Sequence, residues 1–213
     1  MLCRRIGFVV VLSLLIVAAV RRAPAGEFNS VLNLGDPAPA WTKLPGVDGK
    51  KHSLADLKDK QIVVVVFTCN SCPVASDYED RIIAFAKKYA GPGKPTAVVA
   101  INVNTVEEDR LPKMKERAES KGLPYPYLFD STQKIAKLYG AVFTPEFFVL
   151  DKDRKIAYMG AFDDNEDSAK VKRHLVEEAV EAVLSGHKPA KGETIAHGCL
   201  IRYDRARRRR PTS

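Results

Sequence analysis

Residues 61–81 restrict the fold of this chain more than any other stretch. Ile62–Phe67 is an unbroken apolar, mostly β-branched run, too short to span a membrane and typical of a strand buried on both faces. Pro73 follows soon after, and later apolar residues recur at the spacing of an amphipathic helix: Ile82, Ile83, Phe85, Ala86 and Tyr89. The motif Cys69-Asn70-Ser71-Cys72 lies between the two runs. The sequence therefore places a CxxC pair where a strand is followed by a helix.

A cysteine pair in this position is typical of thiol–disulfide exchange. The unpaired N–H groups and the partial positive charge of a helix N-terminus favour a thiolate over a thiol. We expect Cys69 to be the exposed nucleophile and Cys72, in the first helical turn, to attack the mixed disulfide and release the substrate. A structural disulfide or half of a metal site is the alternative for such a pair.

The rest of the pattern predicts an α/β domain. Residues 96–103 form a second apolar run, so strand, helix and strand make a βαβ unit, which favours a parallel sheet. Residues 147–150 and 155–159 are joined by a short polar turn and predict an antiparallel hairpin. Three further helices are expected, with starts marked by Pro112 and by two capping serines, Ser131 and Ser168.

The chain divides into four predicted segments. Residues 1–25 combine early arginines, an apolar run and an Ala-Pro-Ala ending, the pattern of a secretory signal peptide, with an uncleaved membrane anchor as the alternative. Residues 26–34 are predicted to be a linker and residues 35–186 the folded domain. Residues 187–213 form a C-terminal extension with Cys199 and an arginine-rich tail. We therefore expect an extracytoplasmic protein, periplasmic or secreted, with membrane association through the N-terminal segment if the anchor is retained.

The formal net charge of +8 does not describe the folded body. Four arginines lie in residues 1–25 and six in residues 202–213, so the residues between them are close to neutral. A neutral body argues against a nucleic-acid partner, and the arginine tail is interpreted as a solvated end. The expected partners are instead protein thiols or disulfides outside the cytoplasm, or a redox partner protein.

The number of cysteines is informative because it is odd once the predicted signal peptide is removed. Of the four cysteines, Cys3 lies in the predicted signal, which leaves three. An odd number in an oxidising compartment implies one internal pair and one thiol that is free, intermolecular or in reserve. Cys199 is either a third redox thiol or a packed cysteine. A metal-binding module is the non-enzymatic alternative, with four ligands: Cys69, Cys72, His197 and Cys199. The one-residue spacing between the last two is unlike usual metal sites.

Two groups of acidic residues, Glu146 and residues 163–167, suggest further roles. Glu146 is interpreted as a solvated carboxylate, with proton transfer to the thiols as the alternative. Residues 163–167 are acidic but lack the glycine and distant glutamate of a calcium loop, so they are interpreted as a solvated cap. No phosphate-binding glycine loop is present in the sequence, and electrons can reside on sulfur, so no organic cofactor is expected.

Several segments together resemble the thioredoxin fold and, within it, the peroxiredoxin-like (alkyl hydroperoxide reductase/thiol-specific antioxidant) branch with a CNxCP active site. The matching segments are residues 35–39, 48–50, 67–73, 78–81, 139–141 and 144–148, with a weaker match over 197–203. The resemblance implies one α/β domain with a central mixed sheet flanked by helices. It also implies that Pro145 is cis and that Thr144 exposes its backbone to an extended substrate beside the CxxC pair.

The CxxC motif differs from the motifs of ordinary thioredoxins and of peroxiredoxins. Thr68 and Asn70-Ser71 stand where ordinary thioredoxins have Trp and Gly-Pro, and Thr68 lies four positions before Cys72 where peroxiredoxins have a Thr three positions before the peroxidatic cysteine. We therefore expect an exported thiol–disulfide oxidoreductase, with a peroxiredoxin-like antioxidant peroxidase as the alternative. The predicted catalytic residues are Cys69, Cys72, Thr144 and Pro145.

Overall fold

A computed structural model describes residues 26–204 of the chain. The strands are β1 (Leu44–Pro45), β2 (Lys51–His52), β3 (Ile62–Phe67), β4 (Thr96–Asn102), β5 (Tyr127–Phe129), β6 (Phe143–Thr144), β7 (Glu146–Leu150), β8 (Ile156–Gly160) and β9 (Cys199–Leu200). The helices are α1 (Pro73–Tyr89), α2 (Leu111–Lys121), α3 (Lys134–Tyr139) and α4 (Leu175–Leu184). The predicted signal peptide or anchor, Cys3 and residues 205–213 of the tail lie outside the described residues.

A five-stranded mixed sheet of order β5-β4-β3-β7-β8 forms the centre of the domain. β3 pairs in parallel with β4 and antiparallel with β7, which confirms the predicted βαβ unit, and β7 and β8 form the predicted antiparallel pair. Helices cover both faces, so the predicted α/β fold with a mixed central sheet is confirmed. The sheet order places the end of β3 beside the start of β7.

Burial of β3 on both faces explains its unbroken apolar sequence. All six of its residues are buried. Val64 belongs to the core cluster that contains Ile82 of α1 and Val180 of α4. Val65 belongs to the cluster on the other face, with Tyr139 of α3. Because alternate side chains of a strand point to opposite faces, both sets must be apolar. The result is a rigid strand whose last residue fixes the position of Cys69.

Two predicted helix caps are wrong. Ser131 does not cap α3, because the Asp130 carboxylate accepts two N–H groups of this turn instead, one on each oxygen. Ser168 does not begin α4 either; Ser168–Lys170 is a short 3₁₀ turn that Asp167 caps, and α4 begins at Leu175. A carboxylate has two acceptor oxygens and carries charge, so an aspartate beside a serine can take over the cap.

Chain segments on both sides of the central domain pack against it. The Glu193 carboxylate accepts the backbone N–H groups of Glu27, Phe28 and Asn29 at 2.7–2.9 Å. Thr194 in turn donates its backbone N–H to Met159 O of β8 at 3.0 Å. The residues before position 35 and after position 186 are therefore tied to each other and to the sheet. Within residues 26–204, no helix combines the length and the apolar character needed to cross a bilayer.

Candidate active site

The CxxC motif lies between β3 and α1, as the sequence predicted. Cys69 follows the last residues of β3, and Cys72 is the N-cap residue of α1. Pro73 begins the helix, where a missing N–H costs no hydrogen bond. The Cys72 Sγ atom accepts the backbone N–H of Ala75 at 3.3 Å. The electropositive end of the helix thus acts directly on Cys72.

Our expectation of an exposed, acidic Cys69 is wrong for this conformation. Cys69 and Cys72 are 3% and 2% exposed. Burial raises the pKa of the Cys69 thiol, since a thiolate there would lose its hydration. Hydrogen bonds from Thr144, Ser71 and the Cys72 N–H lower the pKa, but the net shift is upward. Cys69 precedes the helix N-cap by three residues, so burial outweighs the helix terminus.

The Thr144–Pro145 peptide bond is cis, as the resemblance implied. The Thr144 hydroxyl lies 3.4 Å from Cys69 Sγ, and the Thr144 carbonyl oxygen lies 3.2 Å from Cys72 Sγ. The antiparallel pairing of β3 with β7 causes this approach, because it matches Phe67 with Glu146, next to the cis bond. The structure therefore brings the predicted residues Cys69, Cys72, Thr144 and Pro145 together.

Cys199 is joined to Cys72 by a disulfide across a sequence separation of 127 residues, with the two Cα atoms 5.9 Å apart. Cys69 is the free cysteine of the described part of the chain. β9 pairs antiparallel with β6, and the register places Cys199 opposite Thr144. Cys199 is therefore a disulfide partner of Cys72 and lies against the cluster of Cys69, Cys72 and Ala75.

The four ligands of the alternative metal-binding module are not arranged as a metal site in the described residues. Among residues 26–204, no group of three or more His, Cys, Asp or Glu side chains is arranged to hold a metal ion. The nearest acidic partner of His197 is Glu166, whose carboxylate oxygen lies 3.9 Å from Nδ1. Cys72 and Cys199 are bonded to each other. Two of the four ligands proposed from the sequence are therefore taken up by a disulfide in this structure.

Asp109 is a residue of this site that the sequence reasoning missed. Its fully buried carboxylate accepts the N–H groups of Asn70 and Ser71 at 2.6 and 3.1 Å and the Ser71 hydroxyl at 2.5 Å. The Asn102 side-chain amide donates to the same carboxylate at 3.1 Å. Asp109 therefore fixes the two residues between the cysteines. In the sequence, Asp109 belongs to a short acidic stretch after a predicted strand. No spacing rule connects that stretch to the CxxC motif.

The polar side chains around Asp109 form a connected network. The Tyr127 hydroxyl donates to Asn70 Oδ1 at 3.0 Å and accepts from Asn102 Nδ2 at 3.1 Å. Burial raises the pKa of Tyr127 well above its usual value, so the phenol stays protonated and able to donate. Asn70 also donates to the Glu108 carbonyl at 2.8 Å. Each member has partners, which favours a rigid CxxC turn.

Glu146 is not the solvated carboxylate expected from the sequence. It is 8% exposed and accepts the backbone N–H groups of Val142 and Phe143 at 2.7 and 2.9 Å. Burial raises the pKa of this carboxyl, although the two hydrogen bonds oppose the shift. Its hydrogen bonds go to the loop before Pro145 and not to the thiols. Glu146 thus holds the segment that carries the cis bond.

The first residue of the acidic stretch 163–167 is also buried rather than solvated. Asp163 is 1% exposed, accepts from Arg81 Nη1 at 2.7 Å and lies 2.8 Å from His174 Nδ1. A buried carboxylate needs such partners because its desolvation is costly. The pairing joins α1 to the start of α4 and lies apart from the cysteines. The Asp163 carboxylate therefore has a structural role and takes no part in chemistry at the active site.

The fold and the site define a thioredoxin-fold redox protein, with a CxxC pair at a helix N-terminus beside a cis-proline. Comparison with known proteins agrees: residues 34–159 match the family described as AhpC/TSA. The chain therefore belongs to the AhpC/TSA family, as the resemblance of its sequence motifs had indicated.

Individual relatives fall into the two expected redox groups. A Mycobacterium tuberculosis protein named "Putative peroxiredoxin Rv2521" is 28% identical over 141 residues, which cover 59% of this chain and 82% of that protein. The thiol-disulfide oxidoreductase ResA of Geobacillus thermodenitrificans is 24% identical over 151 residues, covering 68% and 81%. The chain is thus a redox enzyme of the thiol–disulfide oxidoreductase and peroxiredoxin class.

Solved structures give the same fold. A hypothetical protein from Sinorhizobium meliloti 1021 has a TM-score of 0.76 and 34% identity, covering 84% of this chain and 98% of that one. A thioredoxin-family thiol:disulfide interchange protein from Chlorobium tepidum has a TM-score of 0.50 and 26% identity, covering 60% and 86%. The thioredoxin-like architecture is therefore shared over most of both chains.

Proposed function

We propose that this protein is an exported thiol–disulfide oxidoreductase that exchanges electrons with protein thiols or disulfides through a Cys69–Cys72 dithiol/disulfide. The observation that supports it most is the meeting of both sulfurs at Thr144, next to the cis Pro145. A substrate strand that pairs with the Thr144 backbone would carry its own sulfur to the same place.

In the reducing direction the cycle begins after a dithiol partner protein has reduced the Cys72–Cys199 bond. The Cys69 thiolate then attacks a substrate disulfide, forms a mixed disulfide and releases one substrate thiolate. Cys72 then attacks Cys69 Sγ, the Cys69–Cys72 disulfide forms, and the second substrate thiolate leaves and takes up a proton. The oxidising direction is the reverse of these steps. Cys72 suits the second role because the N–H of Ala75 and the N-terminus of α1 stabilise its thiolate.

A trapping experiment tests this assignment. With disulfide-bonded insulin as the probe, a Cys72→Ser/Cys199→Ser chain is expected to accumulate a covalent adduct through Cys69, since no second thiol resolves it. Cys199 is removed because it packs against the Cys69–Cys72 cluster and would compete for the mixed disulfide. Every variant also carries Cys3→Ser, so that only cysteines of the folded part react. Non-reducing gels and mass spectrometry of the linked peptides measure the adduct.

The matched control is Cys69→Ser/Cys199→Ser, which is expected to give less than about a tenth of that adduct because the proposal assigns the first attack to Cys69. An adduct through Cys72 only would overturn the roles. The peroxidase alternative draws on the position of Cys72 at the helix terminus and its bond to a distant cysteine. Rapid consumption of hydrogen peroxide that depends on Cys72, with no insulin exchange in any variant, would replace our proposal by that one.

We also propose that the protein acts outside the cytoplasm. Residues 1–25 carry the pattern of a secretory signal, and the odd cysteine set with a disulfide suits an oxidising compartment. Expression of the full chain in a bacterial host is expected to yield an envelope-fraction protein that begins at Gly26. Mass spectrometry of the N-terminal peptide measures this. An intact N-terminus in the membrane fraction would indicate the anchor, and a cytoplasmic intact chain would refute export.

A further inference from the structure

The substrate edge beside the cis-proline is already occupied by the chain itself. β9 pairs with β6 so that Cys199 lies opposite Thr144, and Thr144 Oγ1 lies 3.4 Å from the Cys199 carbonyl oxygen. Gly198 lies so close that a Cβ atom there would collide with the Thr144 carbonyl oxygen. An external strand cannot pair with Thr144 while β9 is in place.

The exposure of the three cysteines follows from this arrangement. Cys69 and Cys72 are almost completely buried, whereas Cys199 is only partly buried and its neighbour Leu200 is 64% exposed. The Cys72–Cys199 bond resembles a mixed disulfide between an enzyme and a substrate strand in which Cys72, the N-cap cysteine of α1, holds the strand. The difference is that the substrate strand belongs to the same chain. Cys69 is then the resolving thiol, so the two cysteines exchange the roles proposed for an external substrate.

We propose that β9 is a tethered internal substrate and that Cys199 is a third redox cysteine of this enzyme. The inference rests on the proposed thiol–disulfide exchange. The Cys69 thiolate attacks Cys72 Sγ, a Cys69–Cys72 bond forms, and the Cys72–Cys199 bond breaks. Cys199 leaves as a thiolate and takes up a proton, while Cys69 has lost one. The oxidation state of the protein is unchanged, so no external oxidant or reductant is required.

The segment that would move is short and anchored at both ends. We call residues 195–204 the C-terminal arm. Before the arm, Thr194 is buried and hydrogen-bonded to Ala161 N, which fixes the point where the arm begins. Beyond β9, Ile201 donates its N–H to Val142 O at 2.8 Å, and the buried Gln133 side chain bonds to the backbone of Arg202 and Asp204. Ile201 is also buried in the core, the Tyr203 hydroxyl donates to Ala141 O, and Arg202 donates its N–H to Asn104. The arm is thus held firmly on both sides of β9, and release of Cys199 requires only the two-residue pairing of β9 with β6 to open.

Labelling of native, oxidised protein tests the exchange without any external substrate. A full chain with Cys3→Ser is incubated with a maleimide at pH 8, and the labelled cysteine is identified by mass spectrometry. We expect the label on Cys199, because attack by Cys69 releases that thiol to the surface and places Cys69 in a disulfide. In a Cys69→Ser variant, which keeps the Cys72–Cys199 bond but lacks the attacking thiol, labelling of Cys199 is expected to fall at least about tenfold.

A second variant displaces β9 and keeps all three cysteines. Gly198→Ala introduces a methyl group against the Thr144 carbonyl, so the fraction of Cys69–Cys72 disulfide is expected to rise severalfold in peptide maps. Leu200→Ala is the matched control on the same strand, since the Leu200 side chain is largely exposed, and it should resemble the parent chain.

Three results would overturn the inference. They are label confined to Cys69, label on Cys199 whether or not Cys69 is present, and equal disulfide maps in Gly198→Ala and Leu200→Ala. None of these results depends on insulin exchange. If the labelling agrees but no variant exchanges with insulin, the proposed function fails and the internal exchange stands.

Discussion

Reduction of the Cys72–Cys199 disulfide in a Cys69→Ser chain is expected to lower the free energy of unfolding by about 2–4 kcal/mol. The bond joins residues 127 positions apart, so it removes many conformations of the unfolded chain that the reduced chain regains. Cys69→Ser is used because it prevents exchange and leaves a single pairing. Urea unfolding with and without a thiol-free reductant, followed by circular dichroism, measures the difference.

The control for this prediction is Cys69→Ser/Cys199→Ser, which contains no disulfide partner in the folded part. Its unfolding midpoint should be the same with and without reductant, and close to that of the reduced single variant. If reduction of the single variant leaves its midpoint unchanged, then the bond between Cys72 and Cys199 does not form in solution. In that case the proposed role of β9 fails as well.

The sequence predicted those features that local pattern determines. An apolar, mostly β-branched run predicted β3, whose six residues are all buried in the structure. The 3.6-residue period after Pro73 predicted α1. The CxxC position followed from these two neighbours alone. The cis state of Pro145 came from the resemblance, because no local rule distinguishes it from an ordinary loop proline.

Features that depend on packing between distant segments could not be predicted from local sequence pattern. Exposure of Cys69 was predicted from its place at a turn, but Cys69 is buried, and Cys199 of β9 packs against the cluster that contains it. The odd cysteine count left the role of Cys199 open, and only the pairing of β6 with β9 brings it to Cys72. Glu146 and Asp163 became buried because backbone N–H groups or Arg81 satisfy them, which depends on the tertiary fold.

Replacement of Asp109 by alanine is expected to lower the free energy of unfolding by about 2–4 kcal/mol, because the N–H groups of Asn70 and Ser71 lose a buried, charged acceptor. The turn between the cysteines also loses its fixed conformation. We therefore expect exchange with insulin to fall by at least about tenfold. Urea unfolding and the exchange rate at a concentration of urea well below the midpoint measure the two effects separately.

Asp109→Asn is the matched variant, since an amide oxygen can still accept from the two backbone N–H groups while the negative charge is removed. Burial raises the pKa of Cys69 first, and the charge of Asp109 raises it further, so removal of that charge should lower the pKa. In a Cys72→Ser/Cys199→Ser background, the pH midpoint for alkylation of Cys69 should therefore move to lower pH, with stability close to that of the parent. An unchanged or higher midpoint would mean that Asp109 does not act electrostatically on Cys69. Equal loss of stability in both variants would show that its charge, and not its acceptor oxygens, holds the turn.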